Sequence, residues 1–380
     1  MASDDRNDLI TTRTLAELKQ EVQRRADRNL PPLIHIKPDD AREALSAIDS
    51  FDREQWARAW SAIGDRYRQQ GRDLEARERD AARTAYWSAW RLYHFARWPV
   101  ENSPAKQEAR RLALAAFRDY ARLLDPPLEI VRIPFEGSEI VGYLRLPAGV
   151  KPAPLVFAMS GLDSRKEDIA AVSDDYLRHR LGLFAIDMPG TGEAPIGITI
   201  GAERMFSCAL DHLVARGDID GARIVVQGRS WSGYWAAVLA YAERARIRGA
   251  VVHGGPIHGY FDPDWQRASR STLEYLYDLV PATAAAYGVE TLDEILAFGP
   301  PLSLRQRGLL DQPSAPMLLV NGARDSKIPI ADVFLMLQHG DAKEAWVNPQ
   351  GGHMGRSLDW PAKRIFDEVV LPWMLRRLAA

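Results

Sequence analysis

The chain is poor in several things, and each shortage removes a class of function. It has one cysteine in 380 residues. Cys208 alone cannot close a disulfide within the chain or build a thiolate metal site, and its helical surroundings predict that it simply packs. No apolar run approaches the roughly 18 residues needed to span a bilayer. Met1 to Asp8 is polar and acidic with no apolar signal core, so a cytoplasmic protein that does not enter membranes is expected. Neither sign of charge dominates: 49 basic residues face 51 acidic ones, a formal net charge of −2, which offers nothing to a nucleic acid. Gly190-x-Gly192 follows a strand pattern but lacks the rest of the dinucleotide fingerprint, and no cofactor is expected. His253 and His258 have no carboxylate or cysteine at ligand spacing, which argues against a metal. Internal repeats and low-complexity segments are absent. With 46% hydrophobic residues, the chain has enough for substantial cores in two to three domains, and its partner is expected to be a small-molecule substrate.

What is present centres on one turn. In Val225-Val226-Gln227-Gly228-Arg229-Ser230-Trp231-Ser232-Gly233-Tyr234 an apolar strand pattern stops at a glycine-flanked serine and a helical pattern begins. This is the layout of a nucleophile elbow, a strand-to-helix turn that lifts a serine hydroxyl above the sheet edge. Glycine is wanted on either side because backbone passes close to backbone there. Ser232 stands where the second glycine is usual, and Gly233 follows it.

The residues a serine nucleophile needs lie downstream. Pro316 to Val320 reads as a buried strand running into a polar turn that ends at Asp325. Ala345-Trp346-Val347 is a short strand leading to His353 in a glycine-rich loop. The order Ser230, Asp325, His353 suits an α/β-hydrolase triad. Serine is a poor nucleophile at neutral pH, so an imidazole must take its proton and return it to the leaving group. A carboxylate behind that imidazole fixes its tautomer and stabilises the imidazolium. Asp325 has a plainer reading as a turn residue capping the helix near Pro329, and His353 as a loop residue. The oxyanion donors are expected from the backbone N–H of Trp231 and of Leu162, the latter in Ser160-Gly161-Leu162-Asp163 after the strand at Leu155 to Met159. Asp163 and Arg165 beside it are expected to pair with each other on a solvated turn.

The chain changes character at Asp125-Pro126-Pro127. Residues 1–125 read as an N-terminal helical domain: Glu54 to Gln70, Leu74 to Trp98, and a third helix opened by Ser103-Pro104, a cap followed by proline in the first turn. Pro31-Pro32 is a breaker, and Met1 to about Thr12 is expected to lack order. Residues 126–380 switch to strands. An antiparallel pair at Glu129 to Phe135 and Ile140 to Leu146 precedes buried-type strands at Leu155 to Met159, Leu183 to Ile186, Ile224 to Val226, Ala250 to Val252, Met317 to Val320 and Ala345 to Val347. Helical stretches between most of them predict an α/β class, with a mostly parallel, doubly covered sheet. An insertion at about 256–312, with a helix from Ser271 to about Tyr287, is expected to form a lid or pocket wall.

Certain motifs carry a family resemblance: Ser160-Gly161-Leu162-Asp163-Ser164-Arg165-Lys166-Glu167, Asp187-Met188-Pro189-Gly190-Thr191-Gly192-Glu193, Gly228-Arg229-Ser230, Asp325 and His353. With the helical segment before them, they make the chain from about Ala81 onward resemble one branch of the α/β-hydrolases. That branch includes 2,6-dihydroxypseudooxynicotine hydrolase, the fermentation-respiration switch (FrsA-like) esterases and fungal polyketide-shortening hydrolases. The resemblance implies the α/β-hydrolase fold and a serine hydrolase that acts on an ester or on a carbon-carbon bond beside a ketone. It also implies a substrate held between core and helical domain, and for some members an extra acid, for which Asp262 and Asp264 are candidates by neighbourhood. Two other readings stay open: a non-catalytic binding or regulatory module on the same fold, and an acyltransferase.

Substrate clues are aromatic. Trp56, Trp60, Trp87, Trp90 and Trp98 fall in the helical domain, and Trp87, Trp90, His94 and Trp98 recur at helical spacing on one face. That face reads first as core or domain contact, second as a roof stacking an apolar, aromatic substrate, and its area would also serve a homodimer. Gly161, Trp87, Trp90, His258 and Tyr260 are the substrate-binding candidates. Trp235, on the elbow helix, is expected to pack beneath it.

Overall fold

The computed structural model describes residues 11, 13–270 and 272–379. The expectation for Met1 to about Thr12 lies, Thr11 apart, outside them. By contact the chain divides into two units: one runs to Leu128 and takes in Ser271–Ala282, and the other comprises Glu129–Arg270 and Thr283–Ala380.

The first unit is helical. Arg53–Leu74 begins at Asp52, whose side chain accepts the Glu54 N–H, and Pro104–Ala121 begins at Ser103, whose hydroxyl accepts the Lys106 N–H. Between them the single helix expected from Leu74 to Trp98 is interrupted, and the helix proper is Arg79–Arg97. The weakly periodic first 50 residues form two further capped or proline-started helices, Leu15–Asp27 and Pro38–Ser46. Trp56, Trp60, Phe95 and Trp98 fill the core, with Trp60 and Phe95 edge to face at 4.7 Å. Tyr277 joins them at 4.9 Å from Trp56.

Tyr277 comes from the insertion, where expectation and structure differ. Pro263–Arg270 and Leu279–Tyr287 are helical, but residues 272–278 are not. Asp278 takes a left-handed φ of 57°, which stops a helix, and Leu276 and Tyr277 are buried in the helical unit's core. The run that reads as a helix by spacing is an irregular segment whose side chains fill that core.

The second unit is built on an eight-stranded sheet in the order β1-β2-β4-β3-β5-β6-β7-β8. The strands are β1 Glu129–Phe135, β2 Ser138–Arg145, β3 Ala153–Met159, β4 Gly182–Ile186, β5 Ile219–Arg229, β6 Gly249–His253, β7 Met317–Gly322 and β8 Glu344–Asn348. β2 pairs antiparallel with β1 and β4, and every other pairing is parallel. All residues of β3, β4, β6 and β7 are buried, as a sheet covered on both faces requires. The helix Ser232–Ala242 is apolar nearly all round and almost wholly buried, with Trp235 against Phe206 at 5.7 Å. Parallel strands put their carboxyl ends on one edge, so the loops after β3, β5, β6, β7 and β8 gather there.

Candidate active site

Ser230 directly follows β5 with φ 55°, a left-handed conformation that costs a residue with a Cβ about 1–3 kcal/mol. Neighbouring backbone holds it there: its N–H donates to the His253 carbonyl at 2.8 Å, and its carbonyl accepts the Gly233 N–H at 2.8 Å. A Cβ on Gly228 would sit 2.0 Å from the Ser232 carbonyl oxygen, and one on Gly233 would sit 2.5 Å from Gly255 Cα. The glycine requirement therefore falls on Gly228 and Gly233, and Ser232 is free to carry a side chain. Its buried hydroxyl accepts the Arg229 N–H at 2.9 Å and lies 3.0 Å from the carbonyls of Met159 and Arg229, to one of which it donates at a time.

Ser230 Oγ lies 2.7 Å from His353 Nε2, and His353 Nδ1 lies 2.9 Å from Asp325 Oδ2. The carboxylate accepts from Nδ1–H, which leaves Nε2 as the acceptor facing the serine. Asp325 Oδ1 accepts the N–H groups of Lys327 at 2.7 Å and Ile328 at 3.0 Å. Turn cap and partner of the histidine are thus one residue, each oxygen serving one role. Burial alone would raise the Asp325 pKa, but His353 and the two amides outweigh it and hold the carboxyl below its ordinary value.

The loop after β3 lies against the serine: a Cβ on Gly161 would be 3.6 Å from Ser230 Cβ. Gly161 N–H is used, donating to Ser164 Oγ at 2.7 Å. Among the described residues, the N–H groups of Leu162 and Trp231 meet no acceptor. Arg165 is not on a solvated turn as expected; it is buried, and its guanidinium donates to the carbonyls of Leu162 and Ser164. Beneath the loop, Ser160 Oγ donates to Asp187 Oδ1 at 3.1 Å. Lys166 is fully buried and meets Asp187 at 2.9 Å, Glu193 at 2.5 Å and Glu167 at 3.4 Å. Burial works against its charge, yet these carboxylates hold its pKa above the ordinary lysine value. The two motif stretches quoted for the resemblance are therefore one ion cluster that fixes the loop beside Ser230.

A family model described as "Esterase FrsA-like" matches residues 37–365. The chain belongs to this family. Esterase FrsA of Vibrio vulnificus (strain YJ016) is 25% identical over 347 residues, covering 88% of this chain and 81% of that protein. Hydrolyase poxO of Penicillium oxalicum is 30% identical over 245 residues, or 58% of this chain and 56% of its own length. Among solved structures, 2,6-dihydroxy-pseudo-oxynicotine hydrolase superposes with a TM-score of 0.76 at 23% identity, covering 90% of this chain and 93% of its own. AbyA5 gives 0.73 at 22% identity over 96% and 94%. The fold is that of the α/β-hydrolases, and this FrsA-like protein is an α/β-hydrolase enzyme.

The remaining candidates are scattered. Trp90 is 1% exposed and packs inside the helical unit between Trp87 at 5.1 Å and Phe117 at 5.3 Å, while Trp87 also meets His35 and Tyr120. Trp56, Trp60 and Trp98 are core residues likewise, which removes them as a face for a second copy. His258 is half-buried with Nδ1 2.8 Å from Ser303 Oγ, and Tyr260 is buried beside Phe261 at 5.2 Å. Asp262 and Asp264 are exposed; Asp262 caps Pro263–Arg270 by accepting the Asp264 and Trp265 N–H groups, and Asp264 pairs with Arg267. Cys208 sits half-buried in the helix Arg204–Val214.

Sequence reasoning passed over Asp332, whose buried carboxylate accepts the N–H groups of Ile257, His258, Gly259 and Tyr260 at 2.6 to 3.3 Å and so shapes the turn carrying two of the candidates. Its only sequence signal is an acid in the first turn of Ala331–Leu337. No helix among the described residues is long and apolar enough to cross a membrane, and none of their His, Cys, Asp and Glu side chains form a group able to hold a metal.

Proposed function

We propose that this enzyme hydrolyses a small ester through an acyl-enzyme on Ser230. The observation that carries the reading is the chain of two short contacts, 2.7 Å from Ser230 to His353 and 2.9 Å from His353 to Asp325, with the serine held at a left-handed φ of 55°. Ser230 Oγ attacks the carbonyl carbon as its proton passes to His353 Nε2, and Asp325 stabilises the imidazolium. The unpaired N–H groups of Leu162 and Trp231 receive the tetrahedral oxyanion. His353 returns the proton to the departing alkoxide, then takes one from a water that cleaves the acyl-serine bond.

Ester is favoured over a ketone-activated carbon-carbon bond because His353 alone suffices for an alkoxide, whereas the extra acid proposed to help it protonate a carbanion is not at hand. Asp262 and Asp264 are exposed and engaged in holding their helix. Aromatic selectivity in the acyl or alcohol part is supported by Trp231 itself, ringed by Tyr234 at 5.3 Å, Tyr287 at 5.9 Å and Phe261 at 6.4 Å.

The test is labelling of Ser230 by a fluorophosphonate together with turnover of aryl and alkyl esters beside β-diketones and acylphenols, with Ser230→Ala as control. Ester hydrolysis that disappears in the variant supports the proposal. Diketone cleavage with weak ester turnover would replace it by a carbon-carbon hydrolase, product esters formed with added alcohols by an acyltransferase, and absence of labelling by a binding module.

A further inference from the structure

Arg270 ends the helix Pro263–Arg270, only 9% exposed, and has no carboxylate partner among the described residues. One nitrogen, Nη2, donates to Gln266 Oε1 at 2.6 Å; Nε and Nη1 are buried with no acceptor. Gln266 is itself buried and fixed, its amide donating to the Tyr260 carbonyl at 2.5 Å. The guanidinium is thus aimed and only partly satisfied. An arginine cannot shed its proton, and a buried charge without a counter-charge is costly. Burial lowers its pKa from the ordinary value, with only the phenols of Tyr260 and Tyr287 acting in the opposite sense.

Two connections tie this group to the site. Ser269, the preceding residue, accepts from Lys327 Nζ at 2.7 Å, and the Lys327 N–H is one of the two that hold Asp325. On the other side Tyr287 meets Trp231, the residue after the nucleophile, at 5.9 Å between ring centroids. Neither the Trp231 Nε1–H nor the Tyr287 hydroxyl completes a hydrogen bond of ordinary geometry, although both are buried. Arg270 thus acts on Tyr287, and Tyr287 faces Trp231 beside Ser230, so a partly satisfied cation borders this aromatic flank with no carboxylate partner among the described residues.

We propose that Arg270 is a specificity-determining residue that binds a carboxylate on the substrate, so that the enzyme's preferred esters carry a negative charge on the part lying against Trp231 and Tyr287. The inference rests on the hydrolase reading above for the identity of the site. A planar guanidinium with free donors matches a carboxylate in two parallel hydrogen bonds, and the substrate supplies the counter-charge that the described residues lack. Neutral esters leave the cation unpaired.

The test compares mono(4-nitrophenyl) glutarate with 4-nitrophenyl butyrate in the wild-type enzyme, Arg270→Lys and Arg270→Met. The expected result is a wild-type preference for the glutarate half-ester in kcat/KM, reduced at least about 30-fold in Arg270→Met and partly kept in Arg270→Lys. Equal loss on both esters in Arg270→Met, or a wild-type preference for butyrate, would overturn the proposal. Calorimetry separates this from failure of the hydrolase reading, because it needs no turnover. In a Ser230→Ala background 4-phenylbutyrate should bind more tightly than 4-phenylbutyramide, and adding Arg270→Met should abolish the difference. Equal binding of acid and amide overturns the carboxylate site whatever the esters do. Inorganic phosphate competing as well as the carboxylate would overturn the assignment to a carboxylate. Removing a buried unpaired cation should also raise the Tm of the ligand-free protein in Arg270→Met, and a lowered Tm would count against the site.

Discussion

The imidazole of His253 donates from Nε2 to the carbonyl of Met354 at 2.8 Å, while the His253 backbone carbonyl accepts the N–H of Ser230 at 2.8 Å. One residue at the end of β6 thus grips both Ser230 and the loop of His353. Met354 needs the grip, since it sits at φ 62° immediately after His353. His253→Ala should lower kcat on a 4-nitrophenyl ester about 10-fold, as loss of a buried hydrogen bond worth about 1–2 kcal/mol lets the His353 loop relax. KM should change little, because His253 is buried and its side chain is spent on the Met354 carbonyl. His253→Gln, which can still donate, should recover part of the rate. A pure KM effect would refute the positioning role.

The same histidine sets an acid limb on stability. Burial pushes its pKa down to about 3 from the usual 6.5, so it is neutral in the folded protein and charges on unfolding in acid. Between those values the unfolded chain binds more protons, and stability must therefore rise with pH up to about 6.5 and fall below it. The slope from this residue alone is about 1.4 kcal/mol per pH unit. Urea unfolding of the wild type and His253→Gln at pH 5, 6 and 7 should give a difference that widens in favour of the variant as pH falls. Parallel pH dependences would exclude His253 as the source.

Asp325→Asn should cost about 10⁴-fold in kcat, because an amide that still caps the turn through its oxygen would face the imidazole with its N–H₂ and reverse the tautomer. Unfolding midpoint should fall only modestly, since the Lys327 and Ile328 N–H groups keep their acceptor. Burst-phase stopped-flow kinetics beside denaturation would show the two effects parting. Equal collapse of both would mean that Asp325 is a turn residue alone.

Ser232 offers a substitution towards the residue usual at its place. Ser232→Gly removes a buried hydroxyl that joins the Arg229 amide to the end of β3, leaving those groups with no replacement. A loss of about 1–3 kcal/mol in stability is expected, with a smaller effect on kcat, measured by thermal unfolding and ester turnover. A variant as stable as the wild type would show that water replaces the hydroxyl.

The sequence is most readable where chemistry dictates residue type at a strand end. Ser230, Asp325 and His353 each follow a short apolar run, Ile224 to Val226, Met317 to Val320 and Ala345 to Val347, and the structure brings all three within hydrogen-bonding reach. Ser232 was visible only as a departure, because its purpose depends on the Met159 carbonyl, 73 residues away. Arg270 carried no signal: that a cation lacks a partner is a statement about everything packed around it. The segment before Leu279 failed for a related reason. Its apolar spacing suits a helix, but Leu276, Tyr277 and Asp278 are pulled from helical geometry by the core and charges of the helical unit to which they belong. Trp87, Trp90, His94 and Trp98 were legible as one face, although spacing alone does not distinguish a core from a pocket roof.

Asp278 gives the last prediction. It is fully buried, receives Arg53 through Nε at 3.1 Å and Nη2 at 2.9 Å, and meets Lys106 Nζ and Asn102 Nδ2 at 3.3 Å. Burial lowers the Lys106 pKa to about 8, a value the nearby carboxylate already raises. Asp278→Ala leaves a fully buried ammonium without the carboxylate it meets, Glu101 acting more weakly, and should cost about 3–5 kcal/mol, read by tryptophan fluorescence during guanidinium unfolding. Lys106 should then titrate lower still. Because the unfolded lysine keeps its proton to about 10.5, the unfolded state binds more protons above the folded pKa, and the variant must regain stability as pH rises from 7 towards 10. Adding Lys106→Met should restore much of the loss at pH 7 and remove that pH dependence. A double variant no more stable than the single one would show that Asp278 serves Arg53 and not Lys106.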